Sequence, residues 1–80
     1  MLPTLLIVDD ERSTREGLRS ALEDDFDVYT ASGTSEARAI LKSEPIQILL
    51  TDLRLGGDSG MDVLDAALAL TEPPVAIMMT

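Results

Sequence analysis

Residues 5–11 of the chain have the sequence LLIVDDE, in which four apolar residues run directly into three acids. A similar pattern recurs at residues 46–52, which read IQILLTD, while residues 75–80 read VAIMMT and end on a hydroxyl side chain. Short runs rich in Val, Ile and Leu that alternate with helical patterns are typical of buried parallel strands. Because ligands of open parallel sheets bind beyond the carboxyl ends of the strands, polar residues at all three ends predict a functional site there.

Helical patterns separate these strands. Residues 13–16 (STRE) fit a capping box with Ser13 as N-cap, and Ser59 is placed to cap a third helix. The apolar face predicted for that third helix consists of Met61, Leu64, Ala67 and Leu68. An alternating segment at residues 26–30 predicts an edge strand. The order βαβαβαβ, with right-handed crossovers, predicts an α/β fold with a doubly wound parallel sheet and strand order 2-1-3-4.

Length and composition favour one small domain in a reducing compartment. The chain has 80 residues, no Cys, and a formal charge of −9 from fifteen acidic and six basic side chains. Such an acidic surface repels nucleic acid, so we expect no direct DNA or RNA binding. No apolar run is long enough to span a membrane, and residues 1–4 lack the basic start of a secretory signal. We therefore expect a cytoplasmic protein without a membrane segment.

Three carboxylates are expected to meet if the first strand lies beside the strand that ends at Asp52. Asp9 and Asp10 would then face Asp52 at one edge of the sheet. Like charges about 5 Å apart repel by roughly 3 kcal/mol per pair at an effective dielectric near 20, so such a cluster needs a cation or a raised pKa. Carboxylate oxygens without His or Cys select a hard ion such as Mg²⁺. A carboxylate can also act as a nucleophile toward phosphorus.

The chain resembles a known family over its whole length. Residues 6–11 (LIVDDE) are similar to the acidic first-strand motif of the receiver domain of two-component response regulators. Residues 49–55 (LLTDLRL), with Gly57 and residues 60–64 (GMDVL), resemble the segment around that family's phosphoacceptor. The resemblance implies a flavodoxin-like fold and a phosphorylation-dependent signal switch in place of a turnover enzyme.

The resemblance also implies roles for individual residues. Asp52 would be the phosphoacceptor, Asp10 a direct Mg²⁺ ligand and Asp9 a ligand through water. The backbone carbonyl of Arg54 would complete the protein ligands of Mg²⁺. Thr80 lies 28 residues beyond Asp52, where the family places its switch Thr or Ser. A histidine kinase or phosphotransfer protein would be the donor, and an output domain outside this chain, often a transcriptional regulator, would receive the signal.

The sequence departs from the family's pattern in two ways. Gly56 stands where many members have Pro, which we expect to loosen the loop beside Asp52. The family's fifth strand, its lysine, its aromatic switch residue and two helices would all follow residue 80. We therefore expect residues 1–80 to form a partial receiver domain that is prone to self-association through its last strand. The chain's one lysine, Lys42, is expected at the end of the sheet opposite the site.

Two other functions stay open. An aspartate-nucleophile phosphatase also places a carboxylate at a strand end, but normally carries a second acid two residues later, where this chain has Arg54. A phosphorylation-incompetent fragment that acts only as an interaction module would lack the acceptor activity altogether. Labelling with a small phosphodonor distinguishes the three, because each predicts a different fate for the phosphoryl group.

Overall fold

The architecture is a parallel sheet with helices on both faces. A computed structural model describes residues 1–79. The elements follow the chain in the order β1 (Thr4–Val8), α1 (Arg12–Leu22), β2 (Asp27–Ala31), α2 (Thr34–Ser43), β3 (Ile48–Asp52), β4 (Arg54–Leu55), β5 (Asp58–Ser59), α3 (Gly60–Leu68) and β6 (Val75–Met79). None of the helices in this part of the chain has both the length and the apolar character needed to cross a membrane.

The main sheet has four strands in the order β2-β1-β3-β6, all parallel. This confirms the predicted α/β fold and strand order, since β6 is the fourth strand of that sheet. Val8 is level with both Ala31 and Thr51 across the sheet, and Asp52 is level with Met79. The carboxyl ends of the central strands therefore reach the same edge, where the polar residues that follow them meet.

The core lies between one face of the sheet and the helices α2 and α3. Alternate residues of the central strands point into it, because successive side chains of a strand face opposite ways. Its buried members are Leu6, Val8, Ala31, Ala37, Leu41, Ile46, Leu49, Leu55, Val63 and Ala67. Burial of these side chains holds β1 and β3 side by side and so sets the spacing of the residues at their ends.

The first helix begins two residues earlier than the capping box predicted. Glu11 occupies the N-cap position of α1 without a side-chain cap, and Ser13 lies inside the first turn. Glu16 does not return to the backbone but pairs with Arg12 through an Nε–Oε1 contact of 3.1 Å. The prediction of Ser13 as N-cap was wrong because the loop before the helix is fixed by contacts of Asp9, which the local pattern does not reveal.

The third helix is capped as predicted but presents a different face to the core. The Ser59 hydroxyl accepts a hydrogen bond from the backbone N–H of Met61 at 3.1 Å. Val63 and Ala67 are buried, whereas Met61 and Leu68 are 46% and 56% exposed. The predicted apolar face was therefore wrong for Met61 and Leu68, which lie on the solvent side of the helix.

A two-stranded hairpin, formed by β4 and β5, interrupts the connection between β3 and α3. Arg54 pairs with Ser59 and Leu55 pairs with Asp58, which leaves Gly56 and Gly57 as the turn. Gly56 has a φ of +64°, a conformation that glycine adopts without steric cost and that proline cannot adopt. This hairpin was not predicted from the sequence, and the expectation that Gly56 loosens the loop stays a prediction.

The strand β6 forms an edge of the sheet and pairs only with β3 among residues 1–79. Its side chains alternate, so that Ala76 packs against the core while Val75 and Ile77 remain 67% and 50% exposed. Apolar side chains with this exposure on an unpaired edge are a template for association with another chain.

Candidate functional site

Three carboxylates converge at the carboxyl edge of the sheet. One oxygen each from Asp9, Asp10 and Asp52 lies within 4.8 Å of the other two. The three differ in exposure, since Asp9 is buried, Asp52 is intermediate and Asp10 is exposed. The structure therefore brings together the three acids that the sequence predicted to meet. Solvent reaches Asp10 most easily and Asp9 least.

Asp9 is held by contacts on both sides of its peptide unit. Its Oδ1 accepts a hydrogen bond from the backbone N–H of Glu11 at 2.8 Å, and its own N–H donates to the carbonyl of Ala31 at 3.1 Å. The guanidinium of Arg15 donates to the Asp9 carbonyl at 2.8 Å. These bonds fix the turn that leads from β1 to α1, and Arg15 adds a positive charge beside an acidic cluster. Sequence reasoning missed Arg15, although its position on the first turn of the helix after two acids is a usable signal.

Asp52 is the last residue of β3 and is oriented by the residue two positions later. The backbone N–H of Arg54 donates to Asp52 Oδ1 at 3.2 Å. No described residue hydrogen-bonds to Oδ2, which is left available to a ligand. The side chain of Arg54 is exposed, so the contribution of this residue to the site runs through its backbone.

The β4–β5 hairpin closes one side of the cluster. Gly56 lies against Asp10, because a Cβ built on it would be 3.5 Å from Asp10 Oδ2. The hairpin thus contacts Asp10 through its turn and Asp52 through the N–H of Arg54. Leu55, on the same hairpin, is buried in the core and anchors it. A short segment that immediately follows β3 therefore shapes the surroundings of two of the three acids.

The donor set fits a small hard cation. Three carboxylates this close repel one another by roughly 3 kcal/mol per pair at an effective dielectric near 20, and a divalent ion reverses the sign of that energy. Two ligands on opposite sides of Mg²⁺ lie about 4.2 Å apart, twice the metal–oxygen distance. The three oxygens lie within 4.8 Å of one another, which is close to that span.

Comparison with known proteins assigns this arrangement to a family. The family model of the response regulator receiver domain matches residues 5–80. The chain belongs to the response regulator receiver domains. Its parallel sheet in the order β2-β1-β3-β6, with an acidic cluster at the carboxyl edge, is the part of the receiver fold that the described residues build.

Several relatives of the chain are transcriptional regulatory proteins. The hydrogenase transcriptional regulatory protein HoxA of Cupriavidus necator is 41% identical over 61 residues, which cover 76% of this chain and 13% of HoxA. The alginate biosynthesis transcriptional regulatory protein AlgB of Pseudomonas aeruginosa is 43% identical over 61 residues, covering 75% of this chain and 14% of AlgB. The receiver chain thus spans about a seventh of the length of these relatives.

Solved structures share the receiver fold. A CheY-like receiver domain protein of Methanospirillum hungatei superposes with a TM-score of 0.90 at 28% identity, covering 98% of this chain and 63% of that one. The response regulator MaeR bound to beryllium trifluoride superposes with a TM-score of 0.86 at 29% identity, covering 99% of this chain and 67% of MaeR. The main sheet described here is therefore common to receivers that differ in most of their residues.

From the sequence, Thr80 was predicted to lie at the site and Lys42 at the opposite end of the sheet. Thr80, the predicted switch hydroxyl, lies outside the described residues. Lys42 lies in the last turn of α2, as expected from the antiparallel run of helices against strands. The first turn of α2 follows the carboxyl end of β2, so its last turn is at the far end of the sheet from the acids.

Proposed function

We propose that this receiver domain accepts a phosphoryl group on Asp52 from a histidine kinase or a phosphotransfer protein, in a step that depends on Mg²⁺. The observation that carries the proposal is the position of Asp52, which ends a central strand beside two further acids and has one oxygen oriented by a backbone N–H. The related regulator MaeR has been solved bound to beryllium trifluoride, which supports an acceptor role for a receiver domain of this fold.

Asp10 and Asp52 would hold the metal directly, Asp9 through water, and the backbone carbonyl of Arg54 would complete the protein ligands. Bound Mg²⁺ supplies positive charge that offsets the charge on a phosphoryl group during transfer. The buried Asp9 is already engaged by the N–H of Glu11, which suits an outer position. The exposed Asp10 is free to turn toward an ion that enters from solvent.

Asp52 acts in this proposal as the nucleophile. One of its oxygens forms a bond to phosphorus while the bond from phosphorus to the donor's nitrogen breaks, and the electron pair of that bond stays on the donor nitrogen. The product is an acyl phosphate on Asp52. The hydrogen bond from Arg54 holds Oδ1 and so presents Oδ2 to the incoming group. Positioning of the carboxylate, more than proton transfer, is what the protein contributes.

The remaining parts of the proposal concern the whole protein. We infer that Thr80 responds to the phosphoryl group, that the domain acts in the cytoplasm as a switch, and that a separate output domain regulates transcription. The names of the relatives HoxA and AlgB support the last point. With a formal charge of −9, the receiver segment itself is not suited to contact nucleic acid.

The test is labelling with acetyl phosphate in the presence of Mg²⁺. We expect stable label on the wild-type protein and its complete loss in Asp52→Asn, whereas Asp62→Asn, which removes an exposed acid on α3, should label normally. Equal labelling of Asp52→Asn would refute the assignment. Continuous release of inorganic phosphate over many turnovers would instead support the aspartate-nucleophile phosphatase.

An interaction module without acceptor activity is the second candidate. The strand β6 favours it, because among residues 1–79 one edge of β6 has no partner and its exposed Val75 and Ile77 offer apolar surface beside free backbone groups. This function requires neither metal nor phosphate. Absence of label on the wild-type protein, together with retained folding, would favour this candidate over the switch.

A further inference from the structure

Asp58 makes a contact that links two distant parts of the chain. Its Oδ2 accepts a hydrogen bond from the backbone N–H of Thr34 at 3.3 Å, across 24 residues of sequence. Thr34 is the first residue of α2, and Asp58 is the first residue of β5. The side chain of Asp58 therefore joins the hairpin beside the phosphoacceptor to the start of the second helix.

The side chain of Asp58 accepts a hydrogen bond from a backbone N–H at the start of α2 that has no partner within the helix. The first N–H groups of a helix have no partner within the helix and are usually satisfied by the side chain at the N-cap position. The N-cap of α2 is Gly33, which has no side chain. A Cβ built on Gly33 would lie 3.4 Å from Asp58 Oδ2, so the carboxylate occupies the place where a local capping group would stand. A negative charge there is also favoured by the helix dipole.

Asp58 is coupled to the site through the geometry of the hairpin. It pairs with Leu55 across the two-residue turn, and the turn residue Gly56 rests against Asp10. The neighbouring Arg54 donates its N–H to Asp52. Because the two strands of the hairpin are paired and only two residues separate them, a tether at Asp58 restricts the positions open to the two groups that contact Asp10 and Asp52.

We infer that Asp58 is a positioning residue for the phosphoacceptor site. It holds the β4–β5 hairpin against the start of α2, and thereby keeps Gly56 beside Asp10 and the Arg54 N–H on Asp52. The inference rests on the proposed function of the acidic cluster, because the consequence it predicts is a change in Mg²⁺ binding. Leu55 anchors the base of the hairpin in the core, and Asp58 anchors the strand that returns from the turn.

The test compares Mg²⁺ affinity in four proteins: wild type, Asp58→Ala, Asp58→Asn and Asp62→Ala. Asp58→Ala removes the tether and should weaken Mg²⁺ binding by about fivefold, the equivalent of a net hydrogen bond of about 1 kcal/mol. Asp58→Asn keeps an acceptor oxygen but not the charge, and should stay within about twofold of wild type if geometry is what matters. Asp62→Ala removes the same charge from an exposed position near the start of α3, and should leave the affinity unchanged.

NMR amide spectra of the same four proteins show whether a change in Mg²⁺ affinity comes from loss of the hydrogen bond between Asp58 and Thr34. The N–H resonance of Thr34 should move upfield in Asp58→Ala and stay near its wild-type position in Asp58→Asn, with no change in Asp62→Ala. Wild-type affinity in Asp58→Ala would overturn the inference and leave the proposed function standing. An equal loss in Asp58→Asn or Asp62→Ala would also overturn it, because the effect would then be one of charge. Failure of the wild-type protein to bind Mg²⁺ would refute the proposed function, and this inference with it.

Discussion

Gly60 packs directly on the backbone of Asp52, so closely that a Cβ on Gly60 would overlap the carbonyl oxygen of Asp52. The N–H of Gly60 also donates to the carbonyl of Leu53 at 2.8 Å. The first residue of α3 is thereby fastened to the residue proposed to accept the phosphoryl group. Because the contact is between backbone atoms, no side-chain adjustment can make room for a larger residue.

The change Gly60→Ala should disturb both stability and the site. The added methyl must push the start of α3 away from β3, and overpacking of this kind lowers the free energy of unfolding by about 1–3 kcal/mol. The displaced Asp52 should also bind Mg²⁺ less tightly. Denaturant unfolding and Mg²⁺ titration measure the two effects.

Gly57→Ala is the matched control for this substitution. A Cβ on Gly57 would meet nothing within 4 Å, and its φ is not positive, so Ala fits there without strain. We expect wild-type stability and wild-type Mg²⁺ affinity. If Gly60→Ala and Gly57→Ala have the same free energy of unfolding and the same Mg²⁺ affinity, the close contact between Gly60 and Asp52 contributes to neither.

Asp10→Asn should have opposite effects on the protein with and without metal. In the absence of divalent ions it removes one of three mutually repelling carboxylates and should raise the melting temperature. With saturating Mg²⁺ the same substitution removes a direct ligand, so the ion should stabilise the variant less than the wild type. The wild type should then have the higher melting temperature. Thermal melts at zero and saturating Mg²⁺ give the comparison, with Asp62→Asn as the control. An unchanged Mg²⁺ affinity in Asp10→Asn would exclude Asp10 as a direct ligand.

The fold was largely predictable because the central strand β1 is buried on both faces. Apolar runs such as residues 5–8 have few alternatives to a central parallel strand, and the helical spacing between them leaves one connection order. The side of α3 that faces the core was not predictable in the same way. Met61 and Leu68 are apolar like Val63, and the pattern does not show that Gly60, on the same helix face as Val63, packs on the backbone of Asp52.

The acidic cluster was predictable for a similar reason, since Asp9, Asp10 and Asp52 each follow a strand end and strand ends share an edge. The contact between Asp58 and Thr34 was not, because it joins residues 24 apart through a hairpin whose place depends on the whole sheet. The hairpin itself had a local signal. Two glycines between Leu55 and Asp58 are typical of a two-residue turn with positive φ, and that signal went unused.

Thr80→Ala should separate phosphorylation from its consequence. If Thr80 acts as a switch hydroxyl, Asp52 remains an intact nucleophile in this variant and should still be labelled by acetyl phosphate. The response of the protein to beryllofluoride, followed by amide shifts away from the acidic cluster, should be blunted. Thr80→Ser retains the hydroxyl and should respond as the wild type does. Complete loss of labelling in Thr80→Ala would assign this residue to the transfer step in place of the switch.

The 80-residue chain should self-associate through β6. Among residues 1–79 this strand has one edge without a partner, and Val75 and Ile77 expose apolar surface beside it. Pairing with a second copy would satisfy the backbone groups and cover those side chains, against the repulsion of two chains that each carry a formal charge of −9. Added salt screens that repulsion, so association should strengthen as ionic strength rises.

Sedimentation velocity over a concentration series at low and high salt measures this association. Ile77→Lys, which places a charge on the exposed face of the strand, should shift the distribution to monomer, whereas Met61→Lys, on the exposed side of α3, should not. A monodisperse wild-type monomer that melts cooperatively would show that β6 needs no partner.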